Sequence, residues 1–336
     1  MGIGEEGDTP RSCVDPIRGG GERRPHDLQE LAAYADFEND PNYPVVPPTN
    51  YRYVTDWNGW DGSIFGGKVE KFGVLFQSAL VPTTFIFAFR GTDSDLDAWE
   101  DLFVETTAFV PYRGHVAPVP YVSAGFYGIY NARGGGMAQS MRQQLFSLLA
   151  QHRPQKIYIT GHSLGAALSQ LFTLDVSVSS PDLWAANMNF ASPRVGKTGW
   201  RTVYEAQPAQ RDPARKTIRV YNYYDFAPTV PPELIGYEHV GTPFRTSFKV
   251  KDAWVVHLDA RHSILNLQTV LGHAVVREPQ AWAGTFPDAT YLPRHRLMQS
   301  FIPSGAAEAA WVEKMTEFME FERSLQTAPP ESGEGG

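Results

Sequence analysis

A single cysteine, Cys13, is all that 336 residues contain, so no intrachain disulfide holds the chain together. No Cys/His spacing suggests zinc, and no motif asks for a cofactor. No apolar run approaches the ~20 residues that span a bilayer, so no transmembrane segment is expected. Basic clusters are missing too: 29 Lys and Arg stand against 37 Asp and Glu, a formal net charge of −8. That balance argues against nucleic acid or an anionic membrane as partner. The first residues, MGIGEEGDTPRS, lack the apolar stretch of a secretory signal. Glu6 stands where myristoylation after Met1-Gly2 needs Ser or Thr. The default expectation is a cytoplasmic protein, or one without its leader, with secretion by another route left open.

What is present is ordinary globular composition, 42% hydrophobic and 20% charged. Residues 1–25 and 326–336 are rich in Gly, Pro, Glu and Ser and bury nothing, so both read as disordered tails. Residues 26–325 read as one domain without linker or repeat. At its centre, Lys156–Leu174 (KIYITGHSLGAALSQLFTL) runs from a β-branched, aromatic stretch into Gly161-His162-Ser163-Leu164-Gly165 and on into an Ala-rich helix. A G-x-S-x-G match alone is weak. Set between a strand and a helix it is the sharp turn that lifts a nucleophilic serine, here Ser163, to a strand's carboxyl end. The helix start then favours the negative charge of an oxyanion.

The remaining pattern alternates strands and helices. LQELAAYADF, following Asp27, has helical spacing, and Asp40–Tyr53 reads as a wrapping loop. Strands are expected at Val69–Leu80, Thr83–Phe89, Ala185–Ala191 and Thr217–Tyr223. A helix with Met141, Leu145, Leu148 and Leu149 on one face precedes the serine strand. This predicts an α/β fold with a mainly parallel sheet and helices on both faces. The strand FIFAF ends at Arg90-Gly91-Thr92. The Thr92 amide there would serve as one oxyanion donor and the Leu164 amide as the other. After Thr92, DSDLDAWEDLF places Leu96, Trp99, Leu102 and Phe103 on one helical face, a candidate lid.

In α/β-hydrolases the acid and then the histidine follow the serine in chain order. Asp225, directly after a strand and before a Pro-rich loop, is the candidate acid; Asp175 and Asp212 are placed worse. His115 and His152 precede the acid. His162 should point away from Ser163, His239 reads as structural, and His257 sits inside a strand-like run. His273 falls near a helix end. His262, opening HSILNLQTVL, is preferred as base, with His295, opening another short helix (HRLMQSF), as the alternative.

In order along the chain, FAFRGT, VSAGFYGIY, ITGHSLGAALSQL, NFASPRVG, RVYNYYDFAPTVPP and GYEHVG resemble the class 3 (fungal-type) lipase family of α/β-hydrolases. The likeness spans roughly residues 30 to 300. It implies Ser163 as nucleophile, Asp225 as acid, Thr92 and Leu164 as oxyanion amides, and a lid after Thr92. The family histidine usually opens an H-S-x-x-x-Y helix; His262 opens HSILNL, with Leu267 at the aromatic position. The implied activity is hydrolysis of lipid carboxylic esters such as acylglycerols through an acyl-enzyme, without cofactor or metal. The lid would touch the lipid interface. A phospholipase, a feruloyl-type or small-ester esterase, and a non-catalytic lipase-like binding module are the alternatives.

Overall fold

The computed structural model describes residues 47, 50–62, 67–91, 105–222, 225–246, 248–251, 261–264, 266–267 and 296–299. Both expected tails, the helix after Asp27, the lid, Thr92, His257, His273 and His295 lie outside the described residues.

A seven-stranded sheet organises the rest. Its strands are β1 (Tyr51–Trp60), β2 (Val69–Ser78), β3 (Thr84–Phe89), β6 (Lys156–His162), β7 (Trp184–Phe190), β9 (Ile218–Asn222) and β11 (Thr242–Thr246), in that spatial order. β1 and β2 pair antiparallel with their neighbours, and β3, β6, β7, β9 and β11 run parallel. The sheet is therefore mainly parallel, as predicted. Parallel strands need cover on both faces, and alternate residues confirm the burial: Phe85, Phe87 and Phe89 face one way, Ile86 and Ala88 the other, all buried.

The helices are α1 (Ala124–Asn131), α2 (Met141–His152), α3 (Leu164–Ser179), α4 (Thr198–Glu205) and α5 (Pro208–Arg211). α3 lies against β3, β6 and β7, with α1 beside it; Phe172 meets Phe87 and Phe89 at 5.2 and 5.8 Å between ring centres. Ser140 caps α2 in a reciprocal box with Gln143, which fixes where that helix starts. A second sheet of β4 (Thr106–Ala108), β5 (Tyr121–Ser123), β8 (Gly196–Lys197) and β10 (Tyr237–Glu238) joins the segments flanking the main sheet.

Two expectations change. The stretch read as a loop up to Tyr53 already begins β1 at Tyr51, because its Tyr, Thr and Trp residues pair with β2. The short helix expected after His295 is instead β13 (Arg296–Gln299), antiparallel to β12 (Phe248–Lys251). Four residues are too few for periodicity to separate helix from strand.

A cavity of about 490 Å³, lined by Tyr112, Phe146, Leu149, Arg153, Ser180 and Leu183, sits where α2 and α3 end. Pro154 and Gln155 beside it lead into β6, so it opens at the end of the sheet opposite Ser163.

Asp175 of α3 staples a long connection to the core. Its fully buried carboxylate accepts from the Tyr112 N–H at 2.6 Å, the Tyr130 hydroxyl at 2.9 Å and the Ser179 hydroxyl at 2.9 Å. Burial pushes this carboxyl up, and the three donors work against that rise. Asp175→Ala leaves those donors without their acceptor and should lower the unfolding free energy by about 3 kcal/mol, measured by urea titration. An unchanged midpoint would show that the staple carries no stability.

Candidate active site

Ser163 stands between the end of β6 and the start of α3 with φ 57° and ψ −125°, a conformation that a residue with a Cβ rarely holds. Its N–H donates to the Phe190 carbonyl at the end of β7, 3.0 Å away, and its own carbonyl accepts from Ala166. A Cβ on Gly161 would collide with the Gly165 carbonyl, and one on Gly165 with the carbonyls of Phe89 and Arg90. The two glycines are what let helix and strands meet this closely.

Asp225 follows β9 by three residues. Its N–H donates to the Asn222 carbonyl at 3.1 Å, and Ala227 N–H donates to its Oδ1 at 3.0 Å. The carboxylate is 2% exposed and already aimed. His262 Nδ1 lies 2.9 Å from both Asp225 oxygens, and His262 Nε2 lies 2.7 Å from Ser163 Oγ. An ionised carboxylate only accepts, so Nδ1 carries the proton and Nε2 is left to accept from the serine hydroxyl. Three residues singled out along the chain thus form one hydrogen-bonded line: acid, imidazole, hydroxyl. Such a line can draw the proton from Ser163 and hold the resulting imidazolium.

Leu164 opens α3 and carries one of the N–H groups that a helix start leaves without an intrahelical acceptor. Arg90, just after β3, donates through Nε to the Gly91 carbonyl at 3.0 Å and pairs with Glu70 at 2.7 Å.

Residues 86–235 match the family model for Lipase (class 3). That span holds the elbow, its strand and helix, and the acid loop. Over those residues the chain is similar to the class 3 lipase family. It is 26% identical to a lipase of Rhizopus niveus over 260 residues, covering 73% of this chain and 62% of that one. It is 31% identical to phospholipase A1-II 4 of Oryza sativa subsp. japonica over 171 residues, covering 46% and 41%. The chain therefore spans less than two thirds of the length of these curated relatives. Among solved structures, the Lip2 lipase of Yarrowia lipolytica superposes with a TM-score of 0.52 at 20% identity, covering 66% of this chain and 77% of that one. This likeness establishes the shared α/β-hydrolase fold.

The site also rests on residues that reading the chain did not assign. Arg194, 2% exposed, donates from Nη1 to the carbonyls of Thr229 and Pro231 and from Nη2 to Glu233 at 2.7 Å. Its guanidinium so gathers the loop that follows Asp225. The signal was its place in NFASPRVG, directly after β7 and beside the acid strand. His162, expected to point away from Ser163, turns its Nε2 to the His262 carbonyl. His239, read as structural, donates Nε2–H to the Pro228 carbonyl at 2.7 Å, while its Nδ1 is buried without a partner among the described residues.

Burial, with Arg219 and Arg194 nearby, holds the His239 pKa well below 6.5; the Pro228 carbonyl offsets this only in part. Below pH 6.5 the unfolded chain therefore binds a proton there that the folded chain refuses. Stability from this group is complete above pH 6.5 and drains away as pH falls through the depressed folded value. His239→Gln keeps a donor for Pro228 and cannot titrate. Its melting temperature should fall less than that of the wild type between pH 6.5 and 5, and parallel curves would refute the assignment.

Proposed function

We propose that this protein is a serine hydrolase of lipid carboxylic esters, working through Ser163, His262 and Asp225. The hydrogen-bonded line from Asp225 through His262 to Ser163 carries the reading. In acylation His262 Nε2 takes the Ser163 proton as Oγ forms its bond to the acyl carbonyl carbon. The carbonyl π electrons move onto oxygen, where the Leu164 and Thr92 amides would stabilise them. The tetrahedral adduct collapses, the C–O bond to the alcohol breaks, and His262 returns the proton to the leaving alkoxide. Water, deprotonated by the same imidazole, then releases the acid from the acyl-enzyme. Asp225 keeps the imidazole in the required tautomer and offsets its positive charge throughout.

The substrate class follows from two supports. The relatives carry the names lipase and phospholipase A1, both of which cleave fatty acyl esters. The segment after Thr92 carries Leu96, Trp99, Leu102 and Phe103, suited to meet an apolar substrate. The reading is therefore an acylglycerol hydrolase, whose rate should rise once the ester forms an interface that the lid can touch.

Hydrolysis of p-nitrophenyl esters from acetyl to palmitoyl, beside fluorophosphonate labelling, tests this. Wild type should be labelled and should prefer medium or long acyl chains. Ser163→Ala should lose labelling, and both Ser163→Ala and His262→Ala should lose on the order of 10⁴-fold or more in kcat. A preference for acetyl would move the substrate to small soluble esters. An unlabelled, inert wild type would leave a binding module on a lipase scaffold.

A further inference from the structure

We propose that His162 and Asn222, neither of them in the triad, are positioning residues that dock the base-bearing turn against the sheet so that His262 falls between Ser163 and Asp225. The inference rests on the hydrolase reading above.

His162 is the last residue of β6 and Asn222 the last of β9. A carbonyl can only accept, so His162 Nε2–H donates to the His262 carbonyl at 2.8 Å. Asn222 Nδ2 donates to the carbonyl just before it, that of Arg261, at 3.2 Å. Two consecutive carbonyls of one turn are thus held by two side chains from the ends of two parallel strands. The turn has little freedom left to shift along or away from the sheet edge.

Each donor also ties the base to a second member of the triad. Asn222 offers its own carbonyl to Asp225 N–H at 3.1 Å, so one residue fixes both the acid turn and the base turn. His162 precedes Ser163 directly, and its ring lies 4.6 Å from that of His262 at 37°, backing the imidazole. Both donors are well buried: His162 is 7% exposed and Asn222 fully buried. Past the anchored carbonyls, Leu267 N–H closes a helical turn on the Ser263 carbonyl at 3.0 Å, and Ile264 and Leu267 are buried beneath it. The carbonyl bonds set position and the apolar pair sets depth.

The test is kinetic, with p-nitrophenyl butyrate as substrate. His162→Phe keeps the ring and removes the donor; Asn222→Leu keeps the volume and removes the donor. Each should lower kcat by about 10- to 100-fold, the cost of an imidazole misplaced by roughly 1 Å, with KM changed by less than about twofold. His162→Gln, which can still donate, should recover part of the loss. In a His262→Ala background neither change should reduce the residual rate further, because the residue they position is gone. A further loss of the same size in that background, or wild-type kcat in His162→Phe, would overturn the proposal. Should Asn222→Leu fail to fold, His162→Phe and His162→Gln carry the test alone. A wild type that is inert and unlabelled by fluorophosphonate would sink the hydrolase reading separately. The low-field proton resonance of His262 Nδ1–H on Asp225 then still reports position, and its persistence unchanged in both variants would refute the docking role.

Discussion

Everything at this site depends on how closely the first turn of α3 approaches the ends of β3 and β6. Gly165 sits under the carbonyls of Phe89 and Arg90, and Gly161 under that of Gly165 itself. At that separation no side chain fits, so helix and strands are locked at one distance. The left-handed φ of Ser163 is the geometric consequence of turning from strand to helix in so little space, at a cost on the order of 1–3 kcal/mol. The bond from Ser163 N–H to Phe190 and the helix bonds into its carbonyl hold the strained residue where it is. The same contact fixes the exit of β3 at Phe89 and Arg90 beside the serine. One steric constraint thus registers the serine against the ends of two strands.

The acid and base need a further kind of support, because burying Phe226, Ala227, Ile264 and Leu267 sets depth but not the direction of the two side chains. Here the sheet supplies buried polar side chains at its carboxyl edge. Behind them, Asn187 of β7 donates to Ser169 and Thr173 of α3, and Gln170 of α3 donates to Ser192. Each of these groups would cost about 1–3 kcal/mol if it lost its partner, so the network tolerates one arrangement far better than any other. Arg194 follows the same logic. Its buried guanidinium meets the largely exposed Glu233, so the pair adds little net stability; its bonds to Thr229 and Pro231 carbonyls fix the path of the acid loop.

The chain read alone located the strand–elbow–helix unit and a mainly parallel sheet, and singled out Ser163, Asp225 and His262 as candidates. These were legible because periodicity and turn chemistry are local: a β-branched run, two glycines, an Ala-rich helix start, an aspartate between a strand and prolines. His162, Asn222 and Arg194 were not legible in the same way. Their roles depend on which strand ends are neighbours in space, and β6, β7 and β9 become neighbours only once crossovers are drawn. A usable sign was there, since polar residues closing parallel strands face the crevice where such folds bind ligands. The two antiparallel edge strands were half seen for a similar reason. β1 takes its identity from pairing with β2 more than from its own pattern, as its two register shifts show.

The choice of base shows how topology decides what spacing leaves open. His262 follows Asp225 by only 37 residues (262 − 225), and a gap counted along the chain favours no candidate. What matters is the edge of the sheet to which the chain has returned. β9 ends at Asn222 beside the acid, and β11 runs parallel to it in direct register, Thr246 against Asn222. A single parallel strand therefore carries the chain back to the edge it left after Asp225. The His262 turn lies at that same edge, with its Nε2 2.7 Å from Ser163 Oγ. An antiparallel β11 would have delivered the chain to the opposite edge, roughly 17 Å away along a five-residue strand, and left the following segment that distance to recover. The direction of one edge strand thus shortens the path from the acid to the base.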